Sequence, residues 1–159
     1  MQTAEQMLAL ADRAVAAQGM EYLIIHGVER IGPNVKWQDF WALKQDVFFP
    51  LLDGLQQRQA QHQLWITDHI SQHQYETERD SAELRVRPAE GGTLRIELTC
   101  QADPLLYRLP LTLLTEVPST WREALVAQGD REARAAITDR VIRYDAVPGG
   151  GTIVIRPIR

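Results

Sequence analysis

The stretch LIIHG, Leu23 to Gly27, decides how the first half of the chain is read. Three apolar residues in succession are the mark of a strand buried on both faces, as in a parallel sheet, and the histidine at the exit interrupts the run. Widened to EYLIIHGV, residues 21 to 28, the segment is rich in Tyr, Ile and Leu and lies between Gly19 and the loop RIGPN. A buried strand is expected there. In parallel α/β architectures ligands bind beyond the carboxyl ends of the strands, so the last residue of such a strand is aimed at a site instead of the core. His26 has that position, with Gly27 leaving room for a substrate beside the backbone. Imidazole titrates near neutrality, which suits it to giving and taking protons. A histidine hydrogen-bonded at a strand end for structural reasons is the competing reading.

The flanking segments extend the pattern. Met7, Leu8, Ala11 and Val15 recur at helical spacing after Thr3, an N-cap with Gln6 at the capping-box position, and Gly19 is the stop, so residues 3 to 18 read as a helix. From Trp37 to about residue 60, Phe40, Leu43, Val47, Phe48, Leu51, Leu52 and Leu55 again fall on one helical face, with Asp39 in the first turn where negative charge suits the helix dipole. Pro50 inside this run predicts a kink or break. LWIT, 64 to 67, reads as a second buried strand, and SQHQYETERDSA as a polar, exposed helix. Helix, strand, helix, strand, helix is the order of an α/β unit with a parallel sheet.

Near residue 82 the period changes. ELRVRPA and TLRIELTC alternate apolar and charged residues around Gly91-Gly92, a hairpin signal. LTLLTEV, ALVAQG, EARAAIT, RVIRYDAV and TIVIRPI follow, the last two joined by PGGG, which reads as a hairpin turn and lacks the Lys-Ser/Thr of a phosphate loop. Seven short strands predict an antiparallel β-sandwich. The expected division is therefore 1–82 and 83–159.

Composition narrows the function classes. With 159 residues, 45% hydrophobic and 24% charged, the chain lies near globular averages, and its net charge of −4 without a basic block argues against a nucleic-acid partner. No apolar run approaches the roughly 20 residues needed to span a bilayer, and MQTAEQ lacks the basic start and apolar core of an export signal. A soluble chain is expected, its compartment left open. The single cysteine, Cys100, excludes an internal disulfide and a thiolate metal cluster.

The order of a helix, LIIHG, a loop, a helix with Phe40 and Phe48, then LWIT and a helix containing YETERDSA resembles the C-terminal end of a NodB-type polysaccharide deacetylase, carbohydrate esterase family 4. Leu23 and His26 match the family's Leu-x-x-His strand. A Trp-containing strand follows in the family, then a helix carrying Tyr, Glu and Arg, here Tyr75, Glu78 and Arg79. The part from Glu83 on is similar to the small β appendage of some members. The resemblance implies a partial (β/α) barrel followed by that appendage, and a hydrolase releasing acetyl groups from a polysaccharide or other glycan. It implies His26 as the general acid that protonates the leaving amine or alcohol, with Leu23 lining the acetyl-methyl pocket. It also implies a divalent metal, zinc, for a complete family member. Nothing in this chain matches the family's aspartate motif or its Arg-x-Pro-Tyr wall, so no cofactor and no metal ligand are assigned to it. A fragment close to inactive alone is the expectation, with self-association or a missing N-terminal half as partner, because truncating a barrel leaves strand edges and an apolar face uncovered. A non-catalytic accessory or carbohydrate-binding module, with the β part binding, is the alternative.

Other residues carry weaker signals. His69 and His73, four apart in DHISQH, would share one face of a helix and could hold zinc with Asp68, His62 or Glu76. Two histidines on an exposed helix are more commonly solvated. Ser71 close to His69 and Asp68 has the residue types of a hydrolase triad, but not the separation one needs. Trp37, Trp41 and Trp65 could stack on sugar rings, while their spacing with Phe40 and Phe48 favours the core. Trp37, beside the loop after His26, is the one assigned to substrate. Glu76, Glu78 and Arg79 are expected on a charged helix face or in an ion pair.

Overall fold

The computed structural model describes residues 3–158. The chain separates into two compact units, Met1–Ile66 and Thr67–Arg159.

In the first unit, α1 (Ala4–Ala17) starts where predicted, with the Thr3 side chain accepting a hydrogen bond from the Gln6 N–H. It ends at Ala17, one residue short of the expected last helical residue, 18. Gln18 takes the left-handed conformation (φ 49°), and the Gly19 N–H donates to the Ala14 carbonyl. α2 (Gln45–Ala60) packs on α1 through Ala4, Met7, Val47 and Leu51. The two helices approach closely at Gly54, where a Cβ would lie 2.6 Å from a methyl group of Leu8. Arg58 reaches across to Asp12 with two hydrogen bonds of 2.6 and 2.8 Å. Its guanidinium is the main reason that the Asp12 carboxyl is held below its ordinary range.

The expected parallel (β/α) barrel does not form. Among the described residues parallel pairing is confined to β1 (Gly27–Val28) and β2 (Ala42–Leu43), two residues each. LIIHG is not a strand before Gly27, and its exposure alternates: Leu23 and Ile25 pack against the helical cluster, whereas Ile24 is 91% exposed. One layer of helices covers one face of the segment, and a strand buried on both faces needs two such layers. LWIT forms no strand, and Trp65 and Ile66 are about half exposed. Residues 37 to 44 are not helical either, so α2 begins eight residues later than predicted. α2 also continues through Pro50 as a single element.

The second unit opens with α3 (His69–Asp80), whose N-cap Asp68 accepts from both the N–H and the hydroxyl of Ser71. That use of Asp68 and Ser71 is capping, not a triad. Seven strands follow: β3 (Ala82–Pro88), β4 (Leu94–Cys100), β5 (Leu111–Glu116), β6 (Glu123–Gln128), β7 (Arg131–Thr138), β8 (Val141–Ala146) and β9 (Ile153–Pro157). All seven were legible from alternation and turn residues. They do not form a sandwich. They make one antiparallel sheet in the order β3-β4-β9-β6-β7-β8-β5, curled into a half-barrel. The predicted hairpin at Gly91-Gly92 joins β3 to β4. PGGG is not a hairpin turn, because β9 does not pair with β8. Its partners are β4 and β6, so β6 to β9 form a Greek key whose return connection is residues 147 to 152. The core lies on the sheet and includes Ile96, Leu98, Trp121, Ile142, Ile153 and Ile155. Among the described residues no helix is long and apolar enough to cross a membrane.

Candidate functional site

The site follows from the alternation in residues 23 to 26. With Leu23 and Ile25 turned toward the helices, Ile24 and His26 face outward, and the His26 side chain is half exposed. Its Nδ1 lies 2.8 and 2.7 Å from the two carboxylate oxygens of Asp39. Asp39 is not the first-turn helix residue expected from the sequence. It sits in the loop before β2, where Oδ1 accepts from the Trp41 N–H two residues on (3.1 Å), an Asx-turn that takes the backbone away from a helix. This amide, then His26, holds the Asp39 carboxyl below its usual range, so it is an anion near neutral pH. Gly27 leaves room for the contact. A Cβ there would meet the Asp39 Oδ2 at 3.2 Å, so the room beside the backbone is occupied by this carboxylate instead of being left for substrate.

A carboxylate on Nδ1 fixes the ring and places the mobile proton on Nε2, the arrangement used for general acid–base work. Around it stand aromatic rings. Phe40 and Trp41 lie 5.4 and 5.5 Å from the imidazole, centroid to centroid, with Trp41 edge-on. They are 77% and 70% exposed. Trp37 is 61% exposed, with the Arg30 guanidinium 5.0 Å from its ring centre. The core placement favoured by spacing therefore fails for Trp37, Trp41 and Phe40. Residues 37 to 41 are loop, so a helical period has no face to describe there.

Of the residues singled out from the sequence, Leu23, His26 and Trp37 all belong to the first unit. Leu23 is half-buried against the α1–α2 cluster. His69 opens α3 and His73 lies one turn on, 3.5 Å from the Tyr107 hydroxyl, both in the second unit. Among the described residues no three His, Cys, Asp or Glu side chains come together as a metal-binding group. The divalent metal implied by the deacetylase resemblance thus does not fit the residues present, either at His26–Asp39 or at His69–His73. Glu78, expected on a charged helix face or in an ion pair, is fully buried, and its Oε1 accepts from the Leu109 N–H at 2.8 Å. It latches the loop before β5 to α3. Asp39 is the site residue that sequence reasoning missed. The signal was available in Asp39-Phe-Trp41, a local Asx-turn pattern, but nothing local ties that turn to His26 thirteen residues earlier.

Comparison with models of known protein families, with curated proteins and with solved structures gives no match.

Proposed function

We propose that residues 23 to 41 are the proton-transfer and ligand-stacking part of a glycan deacetylase site, and that the chain by itself hydrolyses acetyl groups very slowly. The reading is carried by the His26–Asp39 contact. As a solvent water adds to the acetyl carbon and the C–N or C–O bond breaks, an imidazolium held through Nδ1 by a carboxylate can pass its Nε2 proton to the departing nitrogen or oxygen and become a neutral ring still hydrogen-bonded to Asp39, while acetate leaves and the proton of the water is released to solvent. Exposed Phe40 and Trp41 beside the imidazole offer flat apolar faces of the kind that stack on sugar rings, and exposed Trp37, with Arg30 over its ring, lies in the same loop. Of the Leu23-x-x-His26 motif only His26 faces this site, since Leu23 packs against the α1–α2 cluster. A positioned acid alone is worth about 10²- to 10⁴-fold, and no third acidic, histidine or cysteine side chain joins the pair among the described residues. Slow turnover follows.

A second reading, a glycan-binding module without catalysis, is favoured by the same exposed aromatic residues. One experiment separates the two. An acetylated oligosaccharide is titrated against tryptophan emission, and acetyl release is followed in parallel. Trp41→Ala is expected to weaken binding about tenfold or more. His26→Ala and Asp39→Asn are expected to leave binding within a few-fold and to abolish the residual release. Binding with release that ignores both substitutions supports the module. No binding at all refutes both readings.

A further inference from the structure

β3 is an edge strand of unusual composition. Its inner-face residues Leu84 and Val86 stand opposite Leu98 and Ile96 of β4, which are 2% exposed, yet they are themselves 53% and 56% exposed. With Leu113 and Tyr144 from the other end of the sheet they line an apolar groove of about 330 Å³. Its outer-face residues are Glu83, Arg85 and Arg87. An unpaired edge with an apolar stripe is a template for another strand; natural sheets blunt such edges with charges and proline, and β3 carries these as Glu83, Arg85 and Arg87 on one face and Pro88 at its end.

We propose that the free edge of β3 pairs with the same edge of a second copy of this chain, antiparallel about a two-fold axis, with Leu84 opposite its own symmetry mate. The charges select this occupant and this register. Side chains alternate faces with period two, so a symmetric pairing must be centred on a residue, not between two. Centred on Leu84, it sets Glu83 against Arg85 of the second copy, twice by symmetry, and Ala82 against Val86, with no like charges opposed. Centred on Arg85 it also sets Glu83 against Arg87 twice but opposes arginine to arginine at the axis, and centred on Val86 it sets Arg85 against Arg87 twice. Opposite charges directly across a strand pair stabilise it and like charges destabilise it. The other free edge, β5, has Glu116 as its one charged residue, so no charge pair fixes a symmetric register there.

The full chain is tested by sedimentation velocity across a concentration series. The natural chain is expected to dimerise. Glu83→Arg and Arg85→Glu are each expected to weaken the dimer about tenfold or more, since every substitution counts twice, and the double exchange is expected to restore it. Far-ultraviolet circular dichroism checks that the variants stay folded. Independently, in a Cys100→Ser background, Leu84→Cys is expected to form an intermolecular disulfide under mild oxidation while Arg85→Cys does not. A natural chain monomeric at every attainable concentration overturns the proposal. So does a dimer indifferent to both single reversals, or a disulfide formed through position 85 and not 84.

Discussion

Replacing Gln128 by alanine tests the Greek key directly. The Gln128 amide acts on the return connection as a strand would: Nε2 donates to the carbonyls of Val147 (2.8 Å) and Gly151 (3.3 Å), and Oε1 accepts from the Val147 N–H (2.9 Å). If PGGG closed a hairpin between β8 and β9, a side chain at the end of β6 would have no business there. Each hydrogen bond in a half-buried setting contributes about 0.5 to 1.5 kcal/mol net, and the 3.3 Å bond belongs at the low end, so Gln128→Ala is expected to cost about 2 kcal/mol. For a unit of this size that lowers the melting midpoint by roughly 10 °C. Gln128→Glu is expected to cost at least as much, because it turns a carboxylate oxygen toward two carbonyls. Urea unfolding is followed by the emission of Trp121, buried in the core of the sheet, after Trp37, Trp41 and Trp65 have been changed to Phe. A loss below about 0.5 kcal/mol for Gln128→Ala, the level of an ordinary surface substitution, would refute the connection described.

The two-residue turn between β7 and β8 is built from Asp139 (φ 50°) and Arg140 (φ 66°), both left-handed and neither glycine. Asn-Gly at these positions is expected to stabilise the unit by about 1 kcal/mol, measured as a shift in urea midpoint at constant slope. Acid should weaken the first unit. Asp12 and Asp39 are both held below their ordinary values when folded, so the stability they contribute is complete above their unfolded values near 4 and is lost as pH falls through the lower folded ones. Asp39→Asn is expected to flatten the acid limb of a stability–pH curve, and an unchanged limb in Asp12→Asn and Asp39→Asn alike would contradict that assignment.

The sequence by itself determined the local elements wherever a local signal sufficed. Thr3 with Gln6 started α1, Asp68 capped α3, and alternation between turn residues marked all seven strands of the second unit. Those signals live within a few residues of one another, in the hydrogen bonds a side chain makes to its own backbone and in the period of a pleated strand. Tertiary structure alone decided what lies beside what. Packing of Ile25 against the helices with exposure of Ile24 depends on how many layers cover residues 23 to 26, and insertion of β9 between β4 and β6 depends on a pairing across about sixty residues. The same holds at the site. His26 announced itself by type and place, but its partnership with Asp39 depends on a turn thirteen residues onward bringing a carboxylate to 2.7 Å, with Gly27 leaving room beside it. No periodicity encodes that distance; it is set by the fold that brings the two segments together.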